Sequence, residues 1–325
     1  MYKRILVTGS SGLLGTALKS TRNEYPECEM IFSTRTHCDL RDPSSCINYV
    51  KQVDPDAILH LATVRGGVGL SMKYPATVLR DNVLMIMNIL EAARVVGVQK
   101  LAMALSSGMY PANAPIPIKE EYIHDGPAHD SNYSYAYAKR LIEPAIKAYR
   151  LEYRMNLIGL VPNGIFGEND NFDLETATMP AALMRRFYES RNAGREIVVW
   201  GNGSPLRELT YSGDMARAFM WCLFHYDAPN ILNVGTTEEH SVRDIAFMIA
   251  DELGIARHRI VFDASKPSGI LRKSTDNSRF VKLSGFQFTP FVIGLRRTLR
   301  WLEENYEIAV KRSYHPARSE GGGGS

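Results

Sequence analysis

Three glycines, Gly9, Gly12 and Gly15, follow a short apolar run, Arg4 to Thr8, and open a stretch of helical period, VTGSSGLLG. This spacing is the feature that most constrains the fold. Glycine allows a tight strand-to-helix turn and lets backbone N–H groups approach a pyrophosphate, while the helix N-terminus favours the anion. A glycine triplet alone is weak evidence, and its position decides. Further short apolar runs occur at Met30 to Ser33, Ala57 to Ala62, Leu101 to Leu105 and Leu157 to Val161, separated by helix-length segments. None shows the polar alternation of a sheet with one wet face, so helices should cover both faces. The expected fold is α/β, a Rossmann-type doubly wound parallel sheet.

From about residue 167 the rhythm changes. Residues 169–171, 201–205 and 266–269 read as loops, with helical segments at 179–188, 242–253 and 294–306. We therefore expect a dinucleotide-binding domain over residues 1–165 with parts of 210–237. A smaller, partly discontinuous α/β substrate domain should take up 166–209 and 238–320. The GGGGS at 321–325 reads as a flexible linker.

Composition narrows the function. The 325 residues carry 38 Lys and Arg against 35 Asp and Glu, a net charge of +3. This balance gives no reason to expect nucleic acid or a membrane surface as partner. Cys28, Cys38, Cys46 and Cys222 form no C-x-x-C pair, so neither a metal site nor a disulfide framework is expected. The first strand begins at once, without the pattern of a leader peptide, and a cytoplasmic location is the expectation.

At the end of the second strand, an acidic residue would bind the ribose hydroxyls of NAD. The chain instead reads Phe32-Ser33-Thr34-Arg35, and the planar guanidinium of Arg35 suits the 2′-phosphate of NADP. Asp39 is the first carboxylate, better placed toward the adenine. Tyr135 and Lys139 lie four apart in YSYAYAKRLIE and project from one helix face. A nearby ammonium lowers the pKa of a phenol, making Tyr135 a usable proton donor to a carbonyl that accepts hydride. Ser106, at the end of the fourth strand, can hold the same oxygen.

With these residues the chain resembles the extended short-chain dehydrogenase/reductases and, within them, the GDP-L-fucose synthase family. The resemblance runs from residue 3 to about 308. It is carried by VTGSSGLLG, HLATVRGG (60–67), SSGMYP (106–111), HDGPAHDSNYSYAYAK (124–139), NGIFGENDNF (163–172), VWGNGSPLRELTYSGDMA (199–216) and Phe288-Thr289-Pro290. It implies catalytic roles for Ser106, Tyr135 and Lys139. It also implies NADP contacts from Gly9, Gly12, Leu13, Gly15, Arg35, Asp39, Leu61, Ala62, Lys139 and Pro162. For a GDP-sugar it implies Ser107, Gly108, Asn171, Arg186, Trp200, Arg207 and Lys273. Cations and an aromatic wall suit a diphosphate and a nucleoside.

Two departures stand out against the family. Its epimerisation base is a cysteine in S-[ST]-C-[IM]-[YF]-P, and that position is Gly108. Its epimerisation acid is a histidine whose position, counted from Asn171 or back from Phe187, is Thr178. The family's T-N is Asn163-Gly164, and its P-H-D-N-F is Glu168 to Phe172. Glycine and threonine cannot exchange a proton beside a ketone. The reading that follows is a C4-reductase of a GDP-4-keto-6-deoxy sugar, hexose or heptose, without inversion at carbons three and five. An upstream dehydratase and a separate epimerase would then supply the substrate, as the resemblance suggests for bacterial 6-deoxyheptose pathways of capsule and lipopolysaccharide. One alternative is the bifunctional epimerase-reductase, with Glu168 or His129 moved into the pocket. A remoter one is a non-catalytic NADP-binding scaffold. By the same resemblance, helices at 76–97 and 133–155 would pair in a homodimer.

Overall fold

In the computed structural model, residues 2–65, 68–266 and 270–311 are described, the side chains of 68–70 excepted. Gly66 and Gly67 of HLATVRGG, most of the loop at 266–269 and the linker at 321–325 lie outside the described residues.

Five strands form where apolar runs were expected: β1 (Arg4–Thr8), β2 (Glu29–Ser33), β3 (Ala57–His60), β4 (Lys100–Ala104) and β5 (Leu157–Pro162). Six more, unforeseen, follow: β6 (Gly164–Phe166), β7 (Ile197–Trp200), β8 (Leu206–Tyr211), β9 (Leu232–Val234), β10 (Glu239–Ser241) and β11 (Ile260–Asp263). The main sheet is parallel, in the order β2-β1-β3-β4-β5-β9. Every residue of β3 and β4 is buried, as a sheet covered on both faces requires.

The α-helices of the described residues are α1 (Leu13–Thr21), α2 (Pro43–Val53), α3 (Val68–Lys73), α4 (Pro75–Val96), α5 (Tyr133–Arg140), α6 (Ile142–Tyr153), α7 (Met179–Ser190), α8 (Ser212–His225), α9 (Val242–Glu252), α10 (Ser278–Ser284), α11 (Phe291–Glu304) and α12 (Tyr306–Ala309). One face of the main sheet packs on Val50 of α2, Ile86 and Ile89 of α4 and Ile146 of α6. The other packs on Leu14 and Leu18 of α1, Phe219 of α8 and Phe280 of α10. A third apolar cluster gathers Phe166, Phe187, Ile245 and Leu295 around the two small sheets, β10-β8-β6 and β11-β7.

The long helix expected over 133–155 runs as two segments that meet at Leu141. Pro144 explains the junction, since it has no N–H to give the Arg140 carbonyl four residues back. The chain reverses its winding direction between β1 and β3, which opens a crevice at their C-terminal ends.

Candidate active site

The glycine turn occupies that crevice. Gly9 has φ +69°, and a side chain there would run into the Ala62 nitrogen at 2.5 Å. Leu61 and Ala62 are therefore pressed against the turn, and Leu61 N–H donates to the Thr8 carbonyl at 3.3 Å. A Cβ on Gly15 would meet the Ser10 Cα at 2.5 Å, which brings α1 close onto the turn. Gly12 sits at the N-cap of α1 with no side chain capping the first turn, so those N–H groups, from Leu13 on, are available to an anion. The Ser10 hydroxyl is buried without a partner. A cradle of backbone donors with an orphaned hydroxyl fits a dinucleotide pyrophosphate.

Arg35 lies on the rim, with Nη2 3.6 Å from Asp39 Oδ2. Asp39 is gripped by Arg41, which donates from Nε at 2.9 Å and from Nη2 at 2.5 Å. These hydrogen bonds hold the Asp39 carboxyl down at about 2. Arg41 reaches on to Asp81 at 3.0 Å. The carboxylate thus anchors a second guanidinium beside Arg35, a residue the sequence reading missed although it lies two positions from Asp39. Pro162 closes β5 at the same edge of the sheet.

On α5, Tyr135 and Lys139 are 5% and 2% exposed. Lys139 Nζ donates to the Ala104 carbonyl at the end of β4, 2.9 Å away. Ser106 follows in extended conformation, and its Oγ accepts the Gly108 N–H at 3.2 Å. Ser107 and Gly108 lie in the short turn after it. Burial alone would raise the Tyr135 phenol. The charges of Lys139 and Arg65, with hydrogen bonds to Thr63 and Ser106, outweigh burial and bring it below its ordinary value. Lys139 is itself lowered, chiefly by burial.

The substrate candidates fall into two groups. The Arg186 guanidinium lies 5.8 Å from the centroid of the Trp200 ring, which is 56% exposed. Lys273 is lowered by burial and by the charges of Arg65 and Arg207, which puts these three cations in one electrostatic neighbourhood. Asn171 is occupied within its own loop, donating to Thr176 Oγ1 at 2.9 Å and accepting from the Asp173 N–H at 3.0 Å. Thr178 precedes α7, and its buried hydroxyl has no partner. Glu168 accepts from the Tyr211 hydroxyl at 2.7 Å, and exposed His129 contacts Ser131 Oγ at 2.8 Å.

Four further residues reach this region without having been singled out. Thr63 and Arg65 act on Tyr135. Asp170 is 5% exposed, with Oδ1 accepting the Asn171 N–H at 2.7 Å and Oδ2 unpartnered. Burial raises its carboxyl to about 7 against the pull of that hydrogen bond and of Arg65. Asn132 stands beside Gly108: a Cβ on Gly108 would lie 3.1 Å from Asn132 Nδ2 and 3.3 Å from Ser106 Oγ. No spacing rule points to these four, because loops from different strands bring them in.

Residues 5–235 match the model of the NAD dependent epimerase/dehydratase family. A GDP-L-fucose synthase from Dictyostelium discoideum is 32% identical over 314 residues, covering 95% of this chain and 98% of that protein. The crystal structure of a GDP-L-fucose synthetase from Naegleria fowleri bound to NADP superposes with a TM-score of 0.90 at 34% identity, over 95% of each chain. A GDP-6-OMe-4-keto-L-xylo-heptose reductase from C. jejuni superposes with a TM-score of 0.85 at 23% identity, over 93% of this chain and 98% of that one, a likeness of fold. The glycine cradle, the tyrosine–lysine helix and these likenesses along nearly the whole chain lead to one conclusion: the chain belongs to the NAD dependent epimerase/dehydratase family, on its GDP-L-fucose synthase-like branch.

Proposed function

We propose that the protein is an NADPH-dependent reductase of the C4 ketone of a GDP-4-keto-6-deoxy sugar, hexose or heptose, and that it leaves carbons three and five uninverted. The observation that carries this reading is the site around Tyr135. It keeps its proton donor, its ammonium and its serine, while the cysteine position is Gly108 facing the neutral amide of Asn132. NADPH, when bound, supplies the hydride. The chain does the rest. The Gly9–Gly15 turn and Arg35 would hold the dinucleotide phosphates, with Arg41 steadying the rim. Ser106 and Tyr135 fix the ketone oxygen, Tyr135 gives it a proton, and Lys139, tied to the Ala104 carbonyl, keeps the phenol acidic enough to do so. Arg186, Trp200, Arg207 and Lys273 would receive the GDP moiety. In this reading, residues 1–165 with 210–237 serve the dinucleotide, and 166–209 with 238–320 serve the GDP-sugar.

Tyr135→Phe is expected to abolish NADPH oxidation by a GDP-4-keto-6-deoxy sugar, with NADP affinity within about twofold of wild type. Activity equal to wild type would remove Tyr135 from the chemistry.

A second reading, retained proton exchange at carbon three or five, draws on one observation. Asp170 is a buried carboxyl with a free oxygen and a pKa of about 7, suited to take and return a proton. Turnover in deuterated water separates the two. No label at either carbon is expected, whereas incorporation at the rate of turnover, lost in Asp170→Asn, would establish the bifunctional reading.

We also propose a homodimer through α4 and α6. Leu84 and Val95 on α4 are 37% and 45% exposed, and Leu151 on α6 is 87% exposed. Together they offer apolar surface that a second copy of this chain would cover.

A further inference from the structure

Asn132 stands at the N-cap of α5, the helix that carries Tyr135 and Lys139. An asparagine there ordinarily accepts a hydrogen bond from a first-turn N–H. Here the side chain caps nothing. Its Oδ1 accepts instead from Ser71 Oγ of α3 at 3.2 Å, and Ser71 is 5% exposed. With the oxygen held, the amide nitrogen faces the space over Gly108, 3.1 Å from where a Cβ would stand and next to Ser106. The helix does not use this side chain, a buried serine orients it, and its amide nitrogen stands beside Gly108.

A ketone oxygen has two lone pairs, and Tyr135 and Ser106 fill both. The Asn132 donor is left for the next oxygen along the ring. From this geometry, and resting on the reductase reading above, we infer that Asn132 is a specificity-determining residue whose amide donates to the hydroxyl on carbon three of the keto sugar. Gly108 is the partner of this arrangement, because a larger residue would press on the amide. An amide does not titrate in the working range, so it recognises the hydroxyl without drawing the proton on the carbon that bears it.

The experiment measures kcat/KM for NADPH oxidation with GDP-4-keto-6-deoxymannose and with its 3-deoxy analogue, using wild type, Asn132→Ala and Ser71→Ala. Loss of a hydrogen bond that leaves its partner unsatisfied corresponds to roughly 10- to 100-fold. Asn132→Ala is expected to lose that factor on the 3-hydroxy substrate and to stay within about twofold on the 3-deoxy analogue, with NADP affinity unchanged. Ser71→Ala keeps the amide but frees it, and should lose about three- to tenfold with the same dependence on the hydroxyl. If Asn132→Ala fails to fold, Ser71→Ala decides the question by the same comparison of the two sugars. Equal losses on both substrates, or none on either, would overturn the inference while leaving the reductase standing. Wild type inert toward both sugars and toward the corresponding 4-keto-6-deoxyheptose would bring down the reductase reading and this inference together.

Discussion

At the residue scale, the proposed chemistry turns on how one phenol is kept acidic inside the protein. Burial of Tyr135 opposes ionisation and the Lys139 ammonium favours it, with Arg65 adding to the ammonium. The proton donor must be protonated to act, so activity should fall at high pH, with a midpoint below the ordinary tyrosine value of about 10. In Lys139→Met the phenol keeps its burial and loses its nearest charge. That limb should then move upward while the plateau drops by about 100-fold or more, as a pH profile of kcat/KM would show. Asp170 makes an opposite demand. Its carboxyl is raised, so the folded state holds a proton that the unfolded chain releases between about pH 4 and 7. Stability conferred by the protonated form is present below that window and lost as pH rises through it. Asp170→Asn, which keeps the acceptor for the Asn171 N–H, is expected to be more stable than wild type at pH 8, by up to a few kcal/mol. The difference should shrink toward pH 4, as urea melts at the two pH values can measure.

At the scale of single elements, the first turn is the most tightly specified. A methyl group on Gly15 would meet backbone at 2.5 Å, and backbone has no rotamer by which to yield. Gly15→Ala should weaken NADP binding at least tenfold and lower the melting temperature, which fluorescence titration and a thermal melt would reveal. In the second half, α9 begins with a reciprocal cap, in which Ser241 Oγ accepts the Asp244 N–H at 3.0 Å and Asp244 accepts the Ser241 N–H at 3.3 Å. Ser241→Ala should cost about 1 kcal/mol in a urea melt and leave kcat unchanged. The buried strands of the main sheet were legible because a short, continuous apolar run between two helical periods suits a strand covered on both faces and little else. Strands β6 to β11 escaped notice for a physical reason. At three to six residues each, with partners far away in the chain, they are held by tertiary pairing rather than by local pattern.

At the scale of the whole molecule, two small sheets with their helices are joined to a six-stranded one by ties that are polar and buried. Asn163 Nδ2 donates to Glu208 Oε2 of β8 at 3.3 Å, and Asn277 Nδ2 donates to the Thr236 carbonyl at 2.9 Å. Within the six-stranded part, Lys100 at the start of β4 donates to the Tyr226 carbonyl at 2.7 Å and to Asp227 at 2.6 Å. If α4 and α6 meet a second copy of the chain, Leu151→Glu should convert a dimer into a monomer in sedimentation. A monomeric wild type would end that proposal.

The order of residues was enough to determine the doubly wound sheet, the glycine turn after β1 and the Tyr135–Lys139 pair on one helix. Each is a matter of local spacing or of residue identity at one position. The tertiary structure alone decided that Asn132 stands beside Gly108, that Arg65 acts on Tyr135, that burial raises the Asp170 carboxyl and that Asp39 is bound up with Arg41. Those outcomes depend on loops from β2, β3 and β5 converging at one edge of a sheet with the start of α5. Distance through space and loss of water, which no run of letters records, set them.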